Sequence, residues 1–216
     1  MKPIVELSRR ASPFAKPQAI AADGATLWVS SRQTRKVYAL DRATLAIREE
    51  VAVPGADTVW GATRHGDWVY VVCGEDKVDV DARRIRRLAP GRGFDPDYSL
   101  PVPDGMGSHL SYDGTSLVLS QWYPRKLLSL AADASASRVL QLPRAVVGHC
   151  FAQGVFWVVT TDQEESDEYF LERCDPRTGA CERLARIGFP ARGLAFDGEV
   201  FWTNHREANA IVSFRA

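Results

Sequence analysis

The chain has 216 residues, 45% hydrophobic and 25% charged, and its 27 basic residues balance 27 acidic ones. That length suits one core rather than two, the composition excludes a disordered or collagen-like chain, and zero net charge gives no long-range field to recruit nucleic acid or an anionic membrane. No apolar run approaches the roughly 18–20 residues of a membrane span, and MKPIVELSRR lacks the apolar core of a signal peptide, so the expected location is cytoplasmic.

The first strand signal, PIVEL over Pro3 to Leu7, has no partner nearby in sequence. AIAADGATLWVSS, from Ala19, then reads as strand, tight turn, strand, and KVYALDRATLAIREEVAV adds a third and a fourth strand around the turn DRAT. The same sentence of sequence returns at GATRHGDWVYVVC from Gly61, HLSYDGTSLVLSQ from His109, HCFAQGVFWVVT from His149 and GLAFDGEVFWTN from Gly193. Third and fourth strands follow in KLLSLAADASASRVLQL and YFLERCDPRTGACERLARI, whereas the fifth unit stops after AIVSF, one strand short. The turn glycines Gly24, Gly66, Gly114, Gly154 and Gly198 are spaced 42, 48, 40 and 44 residues apart, so five units account for the chain. Repeats of roughly 40–50 residues with four short strands are the signature of propeller blades. No segment has a convincing helical period. The expected fold is all-β, a single five-bladed β-propeller domain over residues 1–216, its ring closed by the N-terminal strand pairing with the last blade. Such closure removes the open edge that an unpaired strand exposes.

GLAFDGEVFWTNHREANAIVSF, and less fully the other four units, resembles the blade pattern of the NHL, gluconolactonase and streptogramin-lyase propellers. The likeness covers the whole chain through the glycine turn, the aromatic on the second strand and the apolar third strand. VWGATRHGDWVYVVCGEDKV, Val59 to Val78, and SQWYPRKLLSL, Ser120 to Leu130, are similar to the five-bladed bacterial and plant glutamine cyclotransferases. That resemblance implies cyclisation of N-terminal glutamine by a glutamate in the central pocket; the corresponding stretch here, GSHLSYDG, holds His109.

In a propeller the innermost strands line the axis, and the loops entering them converge with the second-to-third-strand loops on one face, the mouth. Aligning the units places Gln18, Trp60, Ser108, Gly148 and Arg192 just before the inner strands, and His109 and His149 in the same slot of adjacent blades. His205, after the second strand of the last blade, projects to the same mouth. Imidazoles near pH 7 can serve as base and acid or as ligands of a divalent metal ion; equally, His109 and His149 can be hydrogen-bonded residues plugging the axis. Arg192 suits a carboxylate or phosphate, or an interblade salt bridge. Trp60 and Trp122 fall outside the second-strand register of Trp28, Tyr70, Trp157 and Trp202, which pack between blades, and read as a ligand wall or a lid. Two loops are acidic, CGEDKVDVDA and TTDQEESDEY; Asp76 and Asp162 are their carboxylates nearest the expected pocket, on loops that otherwise read as solvated edges.

The five mouth positions differ from one another, which argues against a lectin with one site per blade and for one axial site. Together with the resemblances, this suggests a protein acting on a small polar molecule by lyase or cyclase chemistry; the alternative is a ligand-binding or protein-interaction scaffold. Of the cysteines Cys73, Cys150, Cys174 and Cys181, the last two flank DPRTGA and face each other across a hairpin. Without an export signal the expectation is two reduced thiols.

Overall fold

The structure, a computed structural model, describes residues 1–75, 82–163 and 166–216. Among these residues twenty strands make five four-stranded antiparallel sheets. β1 is Val5–Ala11. Blade 1 comprises β2 to β5, at Pro17–Asp23, Thr26–Ser31, Lys36–Asp41 and Ile47–Ala52. Blade 2 comprises β6 to β9, at Thr58–His65, Trp68–Gly74, Arg84–Ala89 and Gly93–Pro101. Blade 3 holds β10 to β13, His109–Tyr112, Leu117–Gln121, Lys126–Leu130 and Ala136–Gln141, and blade 4 holds β14 to β17, Ala145–Ala152, Val155–Thr161, Tyr169–Cys174 and Cys181–Ile187. Blade 5 is β18 to β20, Ala191–Phe196, Phe201–His205 and Ala210–Arg215, completed by β1. Inner strands β2, β6, β10, β14 and β18 touch in that order, and β18 returns to β2. The molecule is a five-bladed β-propeller.

Closure follows from the pairing of β1 with β20, Val5 opposite Arg215 through Ala11 opposite Ala210, reinforced by the Ser8 and Ser213 hydroxyls 2.7 Å apart. The strand runs further than the Pro3 to Leu7 segment expected from apolar residues alone. Its N-terminal end is turned instead toward blade 4: the Ile4 N–H donates to the Arg186 carbonyl at 2.9 Å, and buried Ile4 packs with Tyr169 and Ile187. Pro3, which has no N–H to give a ladder, sits at the crossing point.

The core is divided into wedges between blades. Trp28 packs on Val59, Ala62 and Val69 of blade 2, and Trp202 packs on Leu27 and Leu40 of blade 1. Tyr70 contacts the blade 2–3 wedge and Trp157 the blade 4–5 wedge, which is the interblade role expected of this register. Among the described residues no helix is long and apolar enough to cross a membrane.

Cys174 and Cys181 correct the expectation of free thiols: they are cross-strand partners next to the β16–β17 turn and are joined in a disulfide. Cys73 and Cys150 are free and buried, and burial pushes the Cys73 thiol up to about 12.

Two measurements test this architecture. Deleting residues 1–11 is expected to lower the melting temperature by more than about 10 °C or to cause aggregation, because β20 then has a bare edge and blade 4 loses Ile4; unchanged melting would refute closure. Thiol titration in denaturant without reductant is expected to count two thiols, and four after reduction; four before reduction would show the bridge to be absent.

Candidate functional site

The two axial imidazoles are brought together, below the mouth rather than at it. His109 opens β10 and His149 lies within β14; both are fully buried, with ring centroids 5.3 Å apart in an edge-to-face arrangement. His109 Nε2 donates across the axis to the Leu194 carbonyl of blade 5 at 3.3 Å, and His149 Nε2 donates to the His109 carbonyl at 3.4 Å. A carbonyl only accepts, so both rings carry their hydrogen on Nε2 and keep Nδ1 as a lone pair. Burial pushes the His109 pKa down to about 4, and burial with the neighbouring His109 pushes that of His149 well below the ordinary range. Both are therefore neutral at pH 7.

Backbone proximity explains the burial. A Cβ on Gly61 would stand 2.3 Å from the His109 Cα, and one on Gly148 would stand 2.4 Å from the Gly193 carbonyl carbon. Only residues without a side chain let the inner strands approach so closely.

The remaining predicted residues are distributed around the mouth. His205 ends β19, partly buried, with Nδ1 accepting from Arg9 Nη1 at 3.0 Å and its ring stacked on Phe189. Burial and then the Arg9 charge lower its pKa. Arg192 donates to the Tyr169 hydroxyl at 2.8 Å. Trp60 is flanked by the guanidinium groups of Arg32 and Arg83, 5.3 and 4.4 Å from its ring. Gln18 is buried and accepts from Arg206 Nη1 at 2.9 Å. Trp122 packs against the blade 4–5 wedge as a lid would. Asp162 is tied to Arg144 and Arg183, which also clamp the buried Glu172 at 3.0 Å each, so it belongs to an ion network of blade 4. Asp76 lies outside the described residues.

Sequence reasoning missed Arg206. It follows His205 in the same loop, donates Nε to Glu207 at 2.9 Å, and is lowered in pKa by burial and then by the nearby charges of Arg192 and Arg32. Bonds from Lys16 and Arg206 hold Glu207 down at about 2. Also missed was Asn204, whose amide donates to the Gln18 and Ala19 carbonyls at 3.0 and 3.3 Å and so seals blade 5 to blade 1. It stands opposite Arg192 in the ladder.

A cavity of about 150 Å³ occupies the axis, but in its far half, toward the first-to-second-strand turns. Of the predicted site residues among those described, only His149 lines it.

No protein-family profile matches the chain, and no curated protein matches it in sequence. Solved structures do match. Glutaminyl cyclase of Myxococcus xanthus superposes with a TM-score of 0.76 at 13% identity, over 99% of this chain and 98% of that one. Regucalcin, a calcium-binding protein of Agrobacterium tumefaciens, gives 0.61 at 12% identity over 99% and 94%. Virginiamycin B lyase of Staphylococcus aureus gives 0.53 at 11% identity over 97% and 98%. What they share with this chain is the propeller. Among the described residues the one cluster of three suitable ligands is Glu172, Cys174 and Cys181, where the sulfurs are bonded to each other and Glu172 is already neutralised by Arg144 and Arg183.

The buried imidazoles carry a pH signature. A histidine whose folded pKa is about 4 against 6.5 in the unfolded chain contributes stability that is fully present above pH 6.5 and lost as pH falls toward 4. Denaturant melts across that window are expected to lose roughly 3 kcal/mol on account of His109, with His149 adding in the same direction. His109→Gln should flatten the slope; an unchanged slope would show that His109 is not held neutral.

Proposed function

We propose that the protein acts on a small anionic molecule held at the mouth by Arg192 and Arg206, with Gln18 beside them and Trp60 as a wall, and converts it by lyase- or cyclase-type proton transfer. The observation that carries the recognition is Arg206. Its side chain is only 15% exposed, burial and like charge from Arg192 and Arg32 both oppose its ionisation, and Gln18 and Glu207 fix its orientation. A cation kept in such a place gains from an anion docking between it and Arg192, because the anion relieves the repulsion and meets donors already oriented. The planar fork of a guanidinium suits a carboxylate or a phosphate.

The conversion rests on the scaffold shared with a glutaminyl cyclase and a virginiamycin B lyase, a likeness of fold. In this reading His205 is the base: it stands on the mouth rim, is neutral at pH 7, and takes the proton on Nδ1 once substrate replaces Arg9 there. Binding without turnover is the second reading, favoured by the enclosure of His109 and His149 and their use on backbone carbonyls.

A panel of small carboxylates and phosphate monoesters, followed by thermal shift and by NMR of the ligand, tests both. At least one member is expected to raise the melting temperature, with affinity falling about tenfold or more in Arg206→Gln and in Arg192→Gln. His205→Gln should stop conversion while leaving that affinity within about threefold. Saturable binding with no product would select the second reading. Absence of any shift across the panel, or shifts untouched by both arginine variants, would overturn the proposal.

A further inference from the structure

We infer that the Cys174–Cys181 hairpin, once its bridge is reduced, is a binding site for one thiophilic divalent cation of the zinc type, with Glu172 as the third ligand. The two sulfurs and the Glu172 carboxylate lie within 4.8 Å of one another. On a single tetrahedral ion, with metal–sulfur bonds of about 2.3 Å, two thiolates stand about 3.8 Å apart, so small rotations about the cysteine Cα–Cβ bonds are enough to seat one. Two sulfurs and one carboxylate oxygen leave a fourth position for water. The donor set also selects the ion. Thiolates are poor ligands for magnesium or calcium, and the carboxylate beside them suits zinc or cadmium better than copper(I).

The hairpin is held in shape by more than its bridge. Cys174 and Cys181 stand opposite each other in the β16–β17 ladder with Cα atoms 4.1 Å apart. Asp175 accepts from the N–H groups of Arg177 and Thr178 at 2.8 and 2.9 Å, which shapes the turn, and its own N–H donates to the Ala180 carbonyl at 2.9 Å. One rung along, Arg173 pairs with Glu182 at 2.8 Å. Gly179 lays the same turn on blade 3, where a Cβ would stand 2.4 Å from the Gln141 carbonyl oxygen. A cross-link closing so short a loop, seven residues in sequence, adds little to a turn already tied at these points. Reduction therefore leaves two thiols still facing each other across the ladder.

Glu172 supplies the charge such an ion needs. Thr160 and Arg183 donate to its Oε1 at 2.8 and 3.0 Å, while Arg144 Nη1 is shared between Oε1 and Oε2 at 3.0 Å, so lone-pair capacity is concentrated on Oε2. The two guanidinium groups keep the carboxylate ionised and favour thiolate over thiol beside it. With Asp162, which is bonded to both arginines, four negative charges from two thiolates and two carboxylates meet four positive ones from the ion and the arginines. Opening the site is a thiol–disulfide exchange. One thiol of a dithiol reductant attacks the sulfur of Cys181, which is partly buried where Cys174 is fully so, and releases Cys174; the second thiol then releases Cys181. Two electrons and two protons pass to the cysteines, and the reductant leaves as its own cyclic disulfide. The cation then displaces both thiol protons to solvent. Because it binds only the reduced hairpin, it pulls the exchange toward the thiols.

The test uses the whole chain, reduced with a dithiol and then freed of it in the absence of air. Calorimetry with zinc is expected to show one site per chain with a dissociation constant of about 1 μM or tighter and release of about two protons, and the oxidised chain should bind at least about 100-fold more weakly. Cadmium should give the ultraviolet charge-transfer band of thiolate ligation in the reduced chain and in Cys73→Ala, and lose it in Cys181→Ser. Glu172→Gln is expected to weaken zinc about tenfold or more. Should that variant fail to fold, X-ray absorption of the zinc-loaded chain is expected to show two sulfur neighbours, two light ones and no imidazole. No uptake by the reduced chain, equal uptake by the oxidised one, a site that survives Cys181→Ser, unchanged affinity in folded Glu172→Gln, or a shell containing imidazole would each overturn the inference. Neither Arg192 nor Arg206 takes part, so either result leaves the mouth proposal to its own test.

Discussion

Five inner strands converge on one axis, and each arrives with a backbone edge that no neighbouring strand covers. Buried peptide groups need partners, and the strands close in tightly at Gly61 and Gly148. His109 and His149 meet that requirement. An imidazole is long enough to reach over the axis, offers a single N–H, and becomes neutral under burial at modest cost compared with a lysine or a carboxylate. By linking the carbonyl of Leu194 in blade 5, through blade 3, to the ring in blade 4, the pair fastens three blades at the narrowest level of the ring.

That fastening separates two environments with opposite character. Above it lies a rim of guanidinium groups, carboxylates and tryptophans, where Arg206 is paired with Glu207 and crowded by Arg192 and Arg32. Below it the walls are short aliphatic side chains with a few polar atoms. Blade 4 adds rigidity of another sort. Its buried Glu172 collects Thr160 at 2.8 Å and two arginines, a set that is stable only while all members remain, since a lone buried carboxylate would be heavily penalised.

The architecture was legible because it is periodic: a glycine turn every forty-odd residues and an aromatic three or four residues later recur whatever the rest of the blade does, and the missing twentieth strand pointed to the N-terminus. The adjacency of His109 and His149 was legible for the same reason, since equal slots in neighbouring blades must be close. Their depth was not, because it depends on Gly61, Gly148 and Gly193 permitting backbone contact, and a glycine in a strand says nothing by itself about which chain approaches it. Arg206 escaped notice because its importance comes from Gln18 and Arg192, distant in sequence. The disulfide follows from the direct opposition of Cys174 and Cys181 in a tight hairpin, a local geometry that a count of cysteines does not reveal.

The closing strand pair also decides how the ring responds to force. Val5 lies opposite Arg215, so the chain enters and leaves blade 5 at one end of an antiparallel ladder. Tension carried by the polypeptide on either side of these two residues would load the ladder one rung at a time, as a zip is opened, instead of shearing all its hydrogen bonds together. The first rungs to yield would be those around Glu6 and Ser8, where the register is already interrupted. A pull on both ends would therefore open the ring in a set order, starting with the blade that bears Arg192 and His205.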